Sequence, residues 1–246
     1  ENDKITDRYV RGWEKEGRTP EPDTLCALAE ILECNNDDFF DEIVATSRKA
    51  NRRKVPYPEI SKYLRDYSDF INERTKDFTG REFVLDAVDK FVEENDRGYF
   101  FIKGDPGIGK SAIASQLVDV GGYIHHFNIR AEGRNKPRQF LENVCAQLII
   151  KYNLDYEDLP IEKLDDGQLL RDLLLAVSNN EGSGGKALIV VDALDEVDDA
   201  SRNGAANVLF LPMNLPEGIY FIVTTRPEKL NLRIDCAQDS CVIEPK

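Results

Sequence analysis

Two short stretches carry residue types at spacings suited to chemistry. "GDPGIGKS", residues 104 to 111, sets three glycines, a lysine and a serine in the pattern G-x-x-x-x-G-K-[ST]. Glycine permits turns at positive φ and lets backbone N–H groups close around an anion. Gly104, Pro106, Gly107, Ile108 and Gly109 would form the wall of such a cradle. Lys110 would bring a point charge to β- and γ-phosphates, and Ser111 an oxygen for Mg²⁺. With Ala112, it would open a helix whose positive N-terminus faces the anion.

The second stretch, "VVDALDEVDD" (190–199), ends in five carboxylates within eight residues. A phosphate cradle needs a second acidic group, at the end of a neighbouring strand, to hold the metal's water shell. Asp192 closes the apolar run "ALIVVD" and is the expected metal residue beside Ser111. Asp195 and Glu196 follow just beyond, where a carboxylate can orient or deprotonate an attacking water. Asp198 and Asp199 have no assigned task and read as solvated surface.

Such residues need a scaffold, and the pattern around them supplies one. Short apolar runs at 99–104, 123–129, 187–192, 220–225 and 241–244 read as strands. Helical periodicity falls near 110–119, 137–152 and 167–179, and alternation of the two predicts a parallel sheet covered on both faces. Upstream, one amphipathic helix is expected on Ile60, Tyr63, Leu64, Tyr67, Phe70 and Ile71, and another on Val84, Ala87, Val88, Phe91 and Val92. His125 and His126 are neighbours on a strand, so they point to opposite faces and read as structural.

The bulk numbers bound the answer. The chain has 246 residues and a formal charge of −14, with 41% hydrophobic and 32% charged residues. That fits a folded protein and argues against one that coats nucleic acid or an anionic membrane with its whole surface. No apolar run approaches the roughly 20 residues of a membrane span. Five scattered cysteines show no zinc spacing, which points to reduced thiols in a cytoplasmic protein. The absence of an initiator Met and the end in "IEPK" suggest a fragment.

Four motifs in order carry a family resemblance. "IVVDALDE" resembles the acidic strand of NACHT-type NTPases of the STAND class, and "FIVTTRP" (221–227) resembles their sensor strand. That likeness assigns Arg226 to the terminal phosphate. "FTGRE" (78–82) is similar to the segment beside the adenine base, which brings in Thr79, Gly80 and Arg81. A switch-type GTPase would show D-x-x-G and N-K-x-D, whereas this chain has "ALDE" and "NKPR", so ATP is expected over GTP. The resemblance implies a slow, switch-type ATPase using ATP/ADP and Mg²⁺. It would act in signalling, including bacterial antiviral defence, through nucleotide-gated self-association in response to a trigger the sequence does not name. The helical, winged-helix and sensor domains of that class have no counterpart within these residues.

Residues 5–32 resemble the second half of a Cro/repressor-type helix-turn-helix domain, with Thr6, Asp7, Arg8 and Arg11 at the positions facing a major groove. Residues 1–20 carry five basic and five acidic side chains, a weak balance for phosphate contact, so double-stranded DNA and a protein partner both stay open. The expected organisation is a partial all-α helix-turn-helix unit at 1–45 and a basic linker with amphipathic helix at 46–77. A NACHT-like α/β P-loop domain follows at 78–246, with a parallel five-stranded sheet flanked by helices. The alternative function is a transcription regulator whose DNA binding is gated by nucleotide.

Overall fold

The computed structural model describes residues 58–76, 78–180, 185–198, 207–227 and 232–244. The chain divides after Pro56, and every described residue lies in the second unit. The expected helix-turn-helix, with Thr6, Asp7, Arg8 and Arg11, and the basic stretch 47–54 lie outside the described residues. So does Asp199.

The elements are α1 (Pro58–Ser61), α2 (Ser68–Thr75), α3 (Glu82–Glu94), β1 (Gly98–Gly104), α4 (Lys110–Gly121), β2 (Ile124–Phe127), α5 (Pro137–Lys151), α6 (Gln168–Ser178), β3 (Ala187–Asp192), β4 (Ile219–Thr225) and β5 (Gln238–Ile243). The five described strands form one sheet in the order β2-β3-β4-β1-β5, and every pairing is parallel. β4 is buried along its whole length and β1 nearly so, as expected of strands covered on both faces. β5 is an edge strand, mostly exposed, and begins three residues before the expected run.

Alternating side chains split the core in two. Tyr99, Phe101, Ile189, Val191, Phe221 and Val223 pack with α5 and α6 on one face. Phe100, Ile102, Val190, Tyr220 and Ile222 pack with α2, α3 and α4 on the other. Burying a leucine or phenylalanine contributes roughly 1.5–3 kcal/mol, so these two clusters hold the sheet rigid. Because all strands run the same way, their carboxyl ends share one edge, and the loops there converge.

The single amphipathic helix expected over Ile60–Ile71 is two helices. Between α1 and α2 the chain turns, because Asp66 Oδ1 accepts the Ser68 N–H at 2.9 Å and Asn143 Oδ1 accepts the Arg65 N–H at 2.9 Å. The local Asp66–Ser68 bond competes with a helical one, and the distant Asn143 takes the Arg65 N–H. Leu64 is left exposed as a result, while Tyr67 is buried with its hydroxyl on the Phe127 carbonyl at 3.2 Å. β2 is also shorter than expected, ending at Phe127 before a 3₁₀ turn at Arg130–Glu132.

Among the described residues, no helix is long and apolar enough to cross a membrane. Cys145, Cys236 and Cys241 are free thiols. His126 is buried against Phe140, with Nδ1 3.4 Å from the Tyr67 hydroxyl and 3.3 Å from Asn143 Nδ2. Burial pushes its pKa down to about 3, so it is neutral at ordinary pH, in line with a structural role.

Candidate functional site

The loop after β1 is built by its glycines in two different ways. Gly107 and Gly109 hold φ +79° and +98°, where L side chains are strained, and a Cβ on either would meet nothing within 4 Å. Both α-carbons therefore face open space. Gly104 is different: its φ is not in the positive region, and a Cβ there would sit 2.8 Å from Ile108 Cγ2 and 3.2 Å from the Ile243 carbonyl oxygen. Of the three, it is needed for close packing rather than for an unusual turn.

Lys110 begins α4 and folds back over the loop, donating to the carbonyls of Gly104 at 2.8 Å and Asp105 at 3.0 Å. Gly109 caps α4 in the left-handed region and makes no side-chain cap bond. No acidic residue occupies the helix's first turn. The helix thus offers unspent donors and a positive end at the mouth of the loop. Pro106 is exposed beside the glycines, and Ile108 and Ala112 are half-buried along the cradle. From upstream, Arg81 donates to the Ile108 carbonyl at 3.3 Å, which ties the segment of Thr79 and Gly80 to this loop.

Asp192 lies at the end of β3, two strands from β1, with β4 between them. It is 2% exposed. Burial raises its pKa, while hydrogen bonds from Thr224, Ser111 and the Ala193 amide pull it back. The Ser111 contact spans the loop and the acidic strand, because α4 packs across β1, β4 and β3. The two residues expected to share a metal therefore stand on packed elements, with Ser111 favouring the charged form of Asp192. Asn128, at the end of β2, holds the Asp192 carbonyl through Nδ2 at 2.8 Å and its own N–H at 3.3 Å.

After Asp192 the chain reverses through Ala193, at φ 53° and ψ 53°, into a 3₁₀ turn at Leu194–Glu196. That turn aims Asp195 and Glu196 at the carboxyl edge of the sheet. Asp195 Oδ2 is 2.7 Å from Arg226 Nε, so an expected water-handling carboxylate and the expected phosphate sensor form an ion pair. Glu196 accepts the Arg130 N–H at 3.2 Å, and its carbonyl is held by Asn135 Nδ2 at 3.0 Å. Arg130, Ala131, Asp195, Glu196 and Arg226 line a cleft of ≈ 490 Å³ over the ends of β2, β3 and β4. Asp198 is half-buried rather than solvated, its N–H on the Asn135 carbonyl at 3.0 Å.

The donors present fit a magnesium–phosphate group. Magnesium takes oxygen ligands and commonly uses one or two protein groups plus phosphate and water. A hydroxyl and a buried carboxylate on packed elements, beside two glycines open to space, match that demand. Among the described residues no cluster of three or more His, Cys, Asp or Glu could hold a metal by itself, so phosphate oxygens would be needed to complete the shell.

Sequence reasoning passed over Thr224, Asn128, Asn135 and Arg130. For the first two a signal existed: a polar residue ending an otherwise apolar buried strand. Asn135 and Arg130 lie in a loop and gave none.

A family model described as "Nephrocystin 3, N-terminal" matches residues 79–226, well over half of the chain. The match opens on Thr79 and closes on Arg226, so it spans all the site residues expected in the α/β part. No curated protein matches the chain.

Proposed function

The chain belongs to the Nephrocystin 3, N-terminal family, a NACHT- and P-loop-like domain associated with NTPases, and from that premise we propose that it binds and slowly hydrolyses ATP as a molecular switch of the STAND type. The observation that supports this best is the buried Asp192 carboxylate at the strand edge against which α4 packs, beside the open glycine cradle that opens that helix. An ordinary glycine-rich turn has no reason to bring a buried acid to a helix N-terminus.

In this reading the loop N–H groups and Lys110 hold the phosphate chain, and Lys110 exchanges its two loop carbonyls for phosphate oxygens. Ser111 and Asp192 would hold Mg²⁺, which when bound would neutralise charge on the β- and γ-phosphates. Asp195 and Glu196 are the carboxylates that orient the attacking water, Asp195 once Arg226 has left it. Arg226 leaves Asp195 to meet the terminal phosphate, and the change from ion pair to phosphate contact is what the acidic turn senses. Arg81, on the Ile108 carbonyl, steadies the segment beside the base. Switching by self-association in signalling, with bacterial antiviral defence as the setting, follows from the family resemblance.

The test is Lys110→Ala. It removes the one side-chain charge aimed at the phosphates and leaves the glycine backbone intact, so ATP affinity is expected to fall about tenfold or more while the melting temperature barely changes. Unchanged affinity in a calorimetric titration refutes the assignment.

A further inference from the structure

Thr224 is wholly buried near the end of β4, on the face turned toward α4. Its hydroxyl is shared between two partners: the O–H donates to Asp192 Oδ1 at 2.5 Å, and the oxygen accepts the Ala193 N–H at 2.8 Å. A threonine has a single proton to give. The carboxylate takes it, and the oxygen's lone pairs are left for the amide.

The second partner is the residue at which the chain turns. Ala193 sits in the left-handed region, which is unfavourable for an L-residue, and the Thr224 bond is one of the contacts that hold it there. From Ala193 the 3₁₀ turn follows, closed by the Glu196 N–H on the Ala193 carbonyl at 2.9 Å. One hydroxyl therefore connects the expected metal carboxylate to the turn that carries Asp195 and Glu196.

We propose that Thr224 is a positioning residue for hydrolysis, fixing the Asp192 carboxylate and the acidic turn as one unit. The assignment rests on the nucleotide reading above. It differs from a packing role because Asn128 already holds the Asp192 carbonyl from the other side. Loss of the Thr224 hydroxyl frees the carboxylate and the turn and leaves the strand in place. Its neighbour Thr225 provides a control: it is equally buried, and its hydroxyl has no hydrogen-bond partner among the described residues.

The experiment uses the 246-residue chain with Thr224→Val, Thr224→Ser and Thr225→Val. In the nucleotide-free chain, amide hydrogen exchange over residues 193–197 should rise about tenfold in Thr224→Val and stay near the parent in the other two. In turnover, half-saturation by Mg²⁺ should rise about tenfold in Thr224→Val, while ATP affinity in EDTA stays within about twofold. Thr224→Ser should restore both readouts. If Thr224→Val does not fold, Thr224→Ala carries the same expectation without a second methyl to accommodate. Parental exchange and Mg²⁺ dependence in Thr224→Val, or a Thr224→Ser variant as impaired as the valine, overturn the assignment. A parent chain that binds no ATP overturns the nucleotide reading, and with it the hydrolytic role, whatever the exchange data show.

Discussion

Asp195→Asn separates the two members of the ion pair. Arg226 Nε lies 2.7 Å from Asp195 Oδ2, with the arginine side chain 45% and the aspartate 19% exposed. A pair this open to water is screened, and exposed pairs contribute ~0.2–1 kcal/mol, which corresponds to about 1.4- to 5-fold in an equilibrium constant. Under the proposed function, ATP binding has to break that pair so that Arg226 can meet the terminal phosphate. Neutralising Asp195 removes this cost, so affinity for a non-hydrolysable ATP analogue should rise by about 1.4- to 5-fold. ADP has no terminal phosphate and gains only from the general loss of a nearby negative charge, so the ratio of the two affinities isolates the pair. Arg226→Ala should move that ratio the opposite way, since the phosphate contact itself is lost. Isothermal titration of both nucleotides to both variants measures it. A ratio that Asp195→Asn lowers, or that Arg226→Ala leaves at the parent's value, refutes the exchange of partners.

Acid should weaken the fold through His126. Its folded pKa, about 3, lies below the ordinary 6.5, so the stability tied to the neutral ring is complete above pH 6.5 and is lost as pH falls toward 3. His126→Gln keeps polar atoms for Tyr67 and Asn143 without titrating, and its melting temperature should fall less steeply than the parent's between about pH 6.5 and 4; an identical slope refutes the assignment. The glycines of the loop should also separate by assay. Gly109→Ala meets no atoms and should cost only about 1–2 kcal/mol of backbone strain in a denaturant melt, yet its methyl stands in the cradle and should abolish ATP binding. Gly104→Ala, facing Ile108 and Ile243, should lower stability more than Gly109→Ala does, and the reverse order in the melts counts against this packing account.

What could be read directly from the residues was local. Apolar periodicity of the strands and helices is imposed by each element's own geometry, so the α/β class and the first four strands in chain order were legible without neighbours. Spacing within "GDPGIGKS" placed the loop between β1 and α4 for the same reason. The acidic turn after β3 was equally plain, because a carboxylate ending a buried apolar run has few places to go but the sheet edge. Tertiary structure decided the rest. The break between α1 and α2 depends in part on Asn143, 78 positions from Arg65, a partner that no local pattern announces. The order β2-β3-β4-β1-β5 follows from which faces pack together, and it alone puts β4 between the loop strand and the acidic strand. With Val191 in register with Val223, the next residue of each strand, Asp192 and Thr224, falls on the opposite face, and the two come within hydrogen-bond reach there. In the sequence Thr224 was one of two adjacent threonines with nothing to tell them apart; burial on opposite faces of β4 gives one of them a carboxylate partner and leaves the hydroxyl of the other without a partner among the described residues.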